Sequence, residues 1–226
     1  MSNDLIETIT YHGLHLSIAR NAGNRICYVL LPEGLQEDVT KVVEEYAEKF
    51  GCNIALITGM DWNRDMTPWP AQGVFKKEKP FEGMAEDFLE LLIGDILPYA
   101  EDSLDLCRPG RYLTGISLSG LFAVWTLFRT DAFMAVASIS GSLWYDGFTE
   151  WANQQPIVNT AAKVHLSLGN KEKYSKNPRM AVVEDATGQV AGRLEAAGCD
   201  VDFQTVPGTH FSPIVPRLEL ALSAIL

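Results

Sequence analysis

Ser117 stands where nucleophilic chemistry could be done, in the stretch Arg111-Tyr112-Leu113-Thr114-Gly115-Ile116-Ser117-Leu118-Ser119-Gly120. An apolar, strand-like run enters Gly115-Ile116-Ser117, small residues follow at Ser119 and Gly120, and Leu121-Phe122-Ala123-Val124-Trp125 continues as a helix. A strand that turns directly into a helix brings two backbones close together, so small residues flank the corner and the serine is lifted to the helix N-terminus. There the helix dipole favours the negative charge that develops during attack. The usual pattern for such a turn, G-x-S-x-G, ends in glycine. Here Ser119 takes that place and glycine recurs one position later, so Ser117 needs partners before the turn means more than tight geometry.

A serine nucleophile needs a base and an acid, which in this strand-turn-helix setting follow in the order Ser, Asp/Glu, His. Four histidines make the test sharp. His12 and His15 precede the serine. His165 lies inside the apolar run Val164-His165-Leu166-Ser167-Leu168, where a core role is favoured. His210 remains, in the turn-rich loop Pro207-Gly208-Thr209-His210-Phe211-Ser212-Pro213 between a strand and the last helical segment. The acid belongs after the preceding strand, Lys163 to Leu168. Glu172 is the first carboxylate beyond it, with Asp146, Glu184 and Asp185 as competitors.

The elements that would position these groups follow from composition and periodicity. The chain has 226 residues, 47% hydrophobic and 21% charged, enough for a sizeable core and within the range of one α/β domain, residues 1–226. Its net charge of −11 repels phosphate backbones and anionic lipid heads, which argues against nucleic acid or membrane as partners. Cys27, Cys52, Cys107 and Cys199 form no CxxC pair and no cluster with histidine, which disfavours a disulfide framework or a structural metal. No targeting-type N-terminal run and no long apolar segment occurs, so a cytoplasmic location is expected; the oligomeric state is left open.

Short apolar runs alternate with helical patterns. Leu14 to Ala19 and Ile26 to Leu31 read as an N-terminal antiparallel hairpin around Asn21–Asn24. Asp38 to Phe50 reads as one helix stopped by Gly51, and Asn53 to Thr58 as the third strand. Helical Met84–Tyr99, Leu118–Phe128, Met180–Ala197 and Pro216–Ile225 alternate with strands at Arg111–Ile116, Ala135–Ser140, Lys163–Leu168 and Asp200–Val206. This predicts an α/β fold: a mostly parallel sheet covered on both faces, with an antiparallel start. Only 22 residues separate Ser140 from Lys163, too few for a cap domain.

The chain resembles the putative esterase group of α/β-hydrolases, which includes esterase D and the enterochelin-type siderophore esterases. The resemblance rests on Gly115-Ile116-Ser117-Leu118-Ser119-Gly120, Asp61-Trp62-Asn63-Arg64-Asp65-Met66-Thr67-Pro68-Trp69-Pro70, Ser140-Gly141-Ser142-Leu143-Trp144-Tyr145, Leu168-Gly169-x-x-Glu172 and Gly208-Thr209-His210-Phe211. It implies hydrolysis of carboxylic esters without metal or organic cofactor. Its members act on small acyl adducts and on siderophore lactones, so it does not choose the substrate.

On this reading Ser117, His210 and Glu172 are the catalytic residues. The backbone N–H of Leu118 is one oxyanion donor. The second comes from the loop after the third strand, at Met60 or Asp61. Trp62, Trp69 and Trp144 fall on loops at the strand ends, where they either wall a substrate site or pack. The expected activity is serine carboxylic-ester hydrolysis through an acyl-enzyme, on a small-molecule substrate such as a small acyl or aryl ester or a siderophore-type lactone. The competing readings are a non-catalytic hydrolase-like binding module, and acyl transfer or thioester cleavage on the same fold.

Overall fold

The computed structural model describes residues 6–74 and 79–226. In chain order the elements are β1 (Ile6–Tyr11), β2 (Leu14–Ala19), β3 (Arg25–Leu30), α1 (Glu33–Thr40), α2 (Val43–Phe50), β4 (Asn53–Thr58) and α3 (Trp62–Asp65). Then come α4 (Ala85–Leu91), running through a π-turn (Leu92–Ile96) into α5 (Leu97–Ser103), followed by β5 (Gly110–Ile116), α6 (Leu118–Thr126), β6 (Ala135–Ile139) and α7 (Phe148–Gln154). The last part holds β7 (Lys163–Gly169), a 3-10 turn (Glu172–Tyr174), α8 (Pro178–Ala181), α9 (Val183–Ala197), β8 (Asp200–Val206) and α10 (Ile214–Ile225).

The strands form one sheet in the order β1-β2-β4-β3-β5-β6-β7-β8. β1 and β2 are antiparallel to each other, β2 is antiparallel to β4, and the remaining pairs are parallel. Alternate residues of each central strand feed opposite faces. Ile26, Tyr28 and Leu30 join the core under α4 to α7 and α9, whereas Cys27 and Val29 join the core under α1, α2 and α10. Burial on both faces makes these strands apolar throughout. The β6–β7 connection holds only the seven-residue α7, and no helix of the described residues is long and apolar enough to cross a membrane.

Three expectations are corrected. The antiparallel hairpin is β1 with β2, turning at His12 and Gly13, which both have positive φ (51° and 79°) as a two-residue reverse turn requires. β2 and β3 do not pair, because β4 lies between them. The side chain of Asn53 on β4 accepts from Asn21 N–H and donates to the carbonyls of Gly23 and Arg25, pinning Asn21–Asn24 as a crossover. With β1 counted, the third strand is Arg25–Leu30, so the segment after it is Leu31–Pro32 leading into the first turn of α1, and not Gly59–Trp62. Finally, the helix read over 38–50 is two helices. They part at Lys41–Val42, amid the β-branched Val39, Thr40, Val42 and Val43, where the Thr40 hydroxyl turns back onto the Gln36 carbonyl at 2.9 Å.

Candidate active site

β5 ends in the turn that the sequence indicates. Ser117 has φ 58° and ψ −121°, a strained conformation for a residue with a Cβ, held by its N–H to the Ile139 carbonyl (3.0 Å) and by α6 starting at Leu118. A Cβ on Gly115 would lie 2.1 Å from the Ser119 carbonyl oxygen, so only glycine fits there. Ser119 replaces the usual glycine because its buried hydroxyl serves the corner. Its Oγ accepts from Ile116 N–H at 2.8 Å and lies 2.8 Å from the Leu30 carbonyl and 2.9 Å from the Ile116 carbonyl, so its single proton is shared between the two.

The three expected catalytic groups converge. Ser117 Oγ is 3.1 Å from His210 Nε2, and His210 Nδ1 is 3.0 Å from Glu172 Oε2. The loops that carry His210 and Glu172 are bound to each other: Lys171 N–H donates to the Gly208 carbonyl at 2.9 Å, and a Cβ on Gly169 would meet that carbonyl oxygen at 2.7 Å. Glu172 is buried. Its Oε1 accepts from the Gly169 N–H at 2.6 Å and from the Ser140 hydroxyl, and the Arg217 guanidinium lies 3.7 Å away. Burial alone would push this carboxyl up, but hydrogen bonds from His210, Ser140 and Gly169 outweigh it and hold the group below the ordinary carboxylate value.

The competing acids are occupied or remote. Asp146 takes both Nε and Nη2 of Arg179, Glu184 pairs with Lys173, and Asp185 sits in the first turn of α9. His165 is buried, with Nδ1 2.8 Å from Asp202 Oδ2, and desolvation lowers its pKa; it makes no contact with Ser117. Among the described residues no group of three or more His, Cys, Asp or Glu is placed to hold a metal ion.

Leu118 opens α6, so its N–H is one of the amides without an intrahelical acceptor at the dipole's positive end. The Asp61 N–H is already given to Asp65 Oδ2 at 2.8 Å, so it is not free to hold an oxyanion. Pro32 and the first turn of α1, which follow the true third strand, border the serine instead. A 340 Å³ cavity beside Ser117 is lined by Pro32, Gly34, Leu35, Trp62, Ile116 and Ser212. On the other side a 170 Å³ cavity is lined by Leu118, Ser142, Trp144, Met180, Phe81 and again Trp62. His210 and the 87% exposed Phe211 border both, and a 220 Å³ extension continues from Trp144 and Met180 to Lys171 and Tyr174.

Trp62 and Trp144 therefore wall the cleft, and Trp69 does not line these cavities. Its indole packs among Tyr145, Phe148 and Trp151, its N–H donates to the Asp146 carbonyl, and Tyr145 donates to its carbonyl. Sequence reading missed Phe211, Met180 and Leu35 as lining residues, and Ser140 and Arg217 as partners of the acid. Phe211 adjoins the histidine and Ser140 opens the quoted Ser-Gly-Ser stretch, so both carried a local signal. Leu35 is hidden by the miscounted strand, and Arg217, one charge in the helical Pro216–Ile225 segment, carries no local signal that sets it apart.

The fold is shared with solved proteins. An IroE-like serine hydrolase from Shewanella oneidensis superposes with a TM-score of 0.77 at 18% identity, over 96% of this chain and 78% of that one. Enterobactin hydrolase IroE in complex with DFP superposes with a TM-score of 0.72 at 20% identity, over 97% and 94%. At such identities the likeness is one of fold. In sequence, the uncharacterized protein YbbA of Bacillus subtilis is 28% identical over 141 residues, 61% of this chain; the match spans little more than half, 56%, of that relative's length. The model of the putative esterase family matches residues 35–213, from the first turn of α1 to the segment just past His210, and the chain belongs to that family.

Proposed function

We propose that this protein is a serine carboxylic-ester hydrolase that works through an acyl-enzyme, with residues 1–226 as one hydrolase domain. The observation that carries the reading is the continuous chain of contacts from Ser117 Oγ through both nitrogens of His210 to Glu172. In the first half-reaction His210 Nε2 takes the Ser117 proton as Oγ attacks the ester carbonyl carbon. The oxyanion is held by the Leu118 N–H and by a second amide, and the intermediate collapses when Nε2 returns the proton to the departing alcohol oxygen. Water repeats the sequence on the acyl-enzyme and releases the carboxylic acid. Glu172, ionised and buried, fixes the imidazole tautomer and balances its transient charge.

For the second amide the choice narrows. Leu31 N–H is bonded to the Ile57 carbonyl, Pro32 has none, Glu33 borders a different cavity and Asp61 is committed to Asp65, so Gly34, on the wall of the cavity beside Ser117, is favoured over Met60. The substrate we favour is an uncharged acyl or aryl ester. Among the described residues that line the cleft, Lys171 is the lone lysine or arginine, Trp62, Trp144 and Phe211 supply apolar wall, and the protein's field of −11 opposes a polyanionic substrate. Siderophore lactones, suggested by the IroE likeness, are the second class to test.

The test is incubation with a fluorophosphonate followed by intact mass and peptide mapping. One adduct on Ser117 with parallel loss of p-nitrophenyl ester hydrolysis is the expected result. No adduct at saturating probe would overturn it in favour of a binding module.

A further inference from the structure

Arg217 is a buried cation on α10, away from the sequence motifs, with its guanidinium aimed at the back of the triad. Its Nη2 donates to the Ser140 hydroxyl and lies 3.7 Å from Glu172 Oε1, while Nη1 donates to the His210 carbonyl at 3.4 Å. Ser140 relays the contact: its hydroxyl accepts from Arg217 and donates to Glu172 Oε1. One side chain thus touches the relay to the acid and the backbone of the base. A guanidinium suits this because its fixed fork reaches two acceptors at once and resists deprotonation. Desolvation lowers the Arg217 pKa and the Glu172 charge opposes that, but the group starts so high that it stays cationic at neutral pH. A buried arginine is costly unless it is paired, and its Nε has no partner among the described residues. Packing alone would be served as well by leucine or methionine.

We infer that Arg217, acting through Ser140, is a positioning residue that holds the Glu172 carboxylate and the His210 loop in register and sets the protonation balance of the pair. The inference rests on the Ser117-His210-Glu172 reading given above. The ionisable groups facing this cluster are Glu172 on the 3-10 turn, His210 on the β8–α10 loop and Arg217 on α10. Lys171 lines the cavity wall beside His210, and Lys173 is turned to Glu184. The sign of the effect follows. His210 must be neutral to act as base, and a fixed cation behind the pair disfavours the imidazolium. Loss of that cation leaves Glu172 to stabilise the imidazolium unopposed, so the ascending limb of kcat/KM against pH moves to higher pH.

The experiment compares wild type, Arg217→Met, Arg217→Lys and Ser140→Ala over a pH series with a p-nitrophenyl ester, each normalised to the fraction labelled by a fluorophosphonate. Arg217→Met is expected to shift the limb upward by on the order of one pH unit and to lower kcat at least several-fold. Arg217→Lys keeps the charge but not the fork, so the limb stays near wild type while kcat falls. Ser140→Ala, which removes a donor from Glu172, shifts the limb upward too and decides the matter if Arg217→Met does not fold. A limb that stays within about 0.2 pH unit of wild type in the folded Met variant, or in Ser140→Ala when Met does not fold, overturns the inference. Ser117→Ala run alongside separates the failures: if it still hydrolyses the ester, the triad reading falls and this inference with it, whereas an inactive Ser117→Ala with an unmoved limb sinks the role of Arg217 alone.

Discussion

Ser117 and Ser140 occupy equivalent positions at the ends of neighbouring parallel strands, each immediately beyond the register pair Ile116 and Ile139, and each with positive φ, 58° and 47°. One presents its hydroxyl to His210 Nε2 and the other donates its hydroxyl to Glu172 Oε1. Positive φ in a residue with a Cβ costs about 1–3 kcal/mol, so the sheet maintains two strained serines side by side at the ends of neighbouring strands.

That strain gives the first prediction. Ser117→Ala keeps the backbone conformation and loses the nucleophile, so hydrolysis should fall by ~10⁴-fold or more with Tm close to wild type. Ser117→Gly should be as inactive yet more stable than Ser117→Ala by about 1 kcal/mol, because glycine accepts the same φ without penalty. Thermal melts and ester assays check both, and activity within about tenfold of wild type in Ser117→Ala would refute the assignment.

The corner itself can be broken from behind. Gly115→Ala places a methyl 2.1 Å from the Ser119 carbonyl, and the protein should fail to accumulate in folded form or lose probe labelling at Ser117. Ser119→Ala removes only the buried hydroxyl that serves Ile116 and Leu30, and should cost about 1–3 kcal/mol in chemical denaturation while leaving measurable activity.

For the acid, Glu172→Gln should leave Ser117 labelling detectable but lower kcat. It should also move the ascending limb of kcat/KM to lower pH, opposite to the Arg217→Met shift, because the imidazolium loses its counter-charge. Stability carries the same signature. A carboxyl whose pKa is lowered by folding contributes stability that is complete above its unfolded value of 4.5 and is lost as pH falls through the folded value. Denaturation midpoints of Glu172→Gln should therefore fall less between neutrality and pH 4 than those of wild type. If Glu172→Gln instead matches wild type and Asp146→Asn or Asp185→Asn is crippled, the acid lies elsewhere.

Thiol reagents and chelators test the surroundings. Burial pushes the Cys27 thiol far up and Cys52 up to about 12, and Cys199 is buried as well, whereas Cys107 is exposed. Native protein should take up one equivalent of maleimide, at Cys107, with hydrolysis unchanged, and EDTA should likewise leave the rate unchanged. A rate lost to EDTA and restored by zinc or manganese would overturn the metal-free mechanism.

How far the sequence led depends on where each signal resides. The serine turn, the histidine loop and the acid after β7 are local patterns in which residue type and chain order coincide, and the structure brings those three side chains together. β1 was missed because Glu7, Thr8 and Thr10 dilute its apolar alternation, as befits a strand at the sheet's edge. That one omission shifted the strand count, and with it the loop chosen for the second oxyanion donor. Trp69 and Arg217 show the other limit. An indole on a loop and an arginine on an amphipathic helix read alike whether they face the cleft, the core or water, because only long-range packing decides between those surroundings.

The crossovers that build the parallel sheet also govern when the site exists. His210 meets partners that lie 38 and 93 residues earlier in the chain, and each meeting requires a large loop to be closed before any contact rewards it. Helices and the β1–β2 hairpin can form early from neighbouring residues, but the Ser117-His210-Glu172 contacts cannot. On the proposed reading, regain of Ser117 reactivity after denaturation reports the final docking of β7, β8 and α10, and a chain with most of its helix content restored would still be chemically silent.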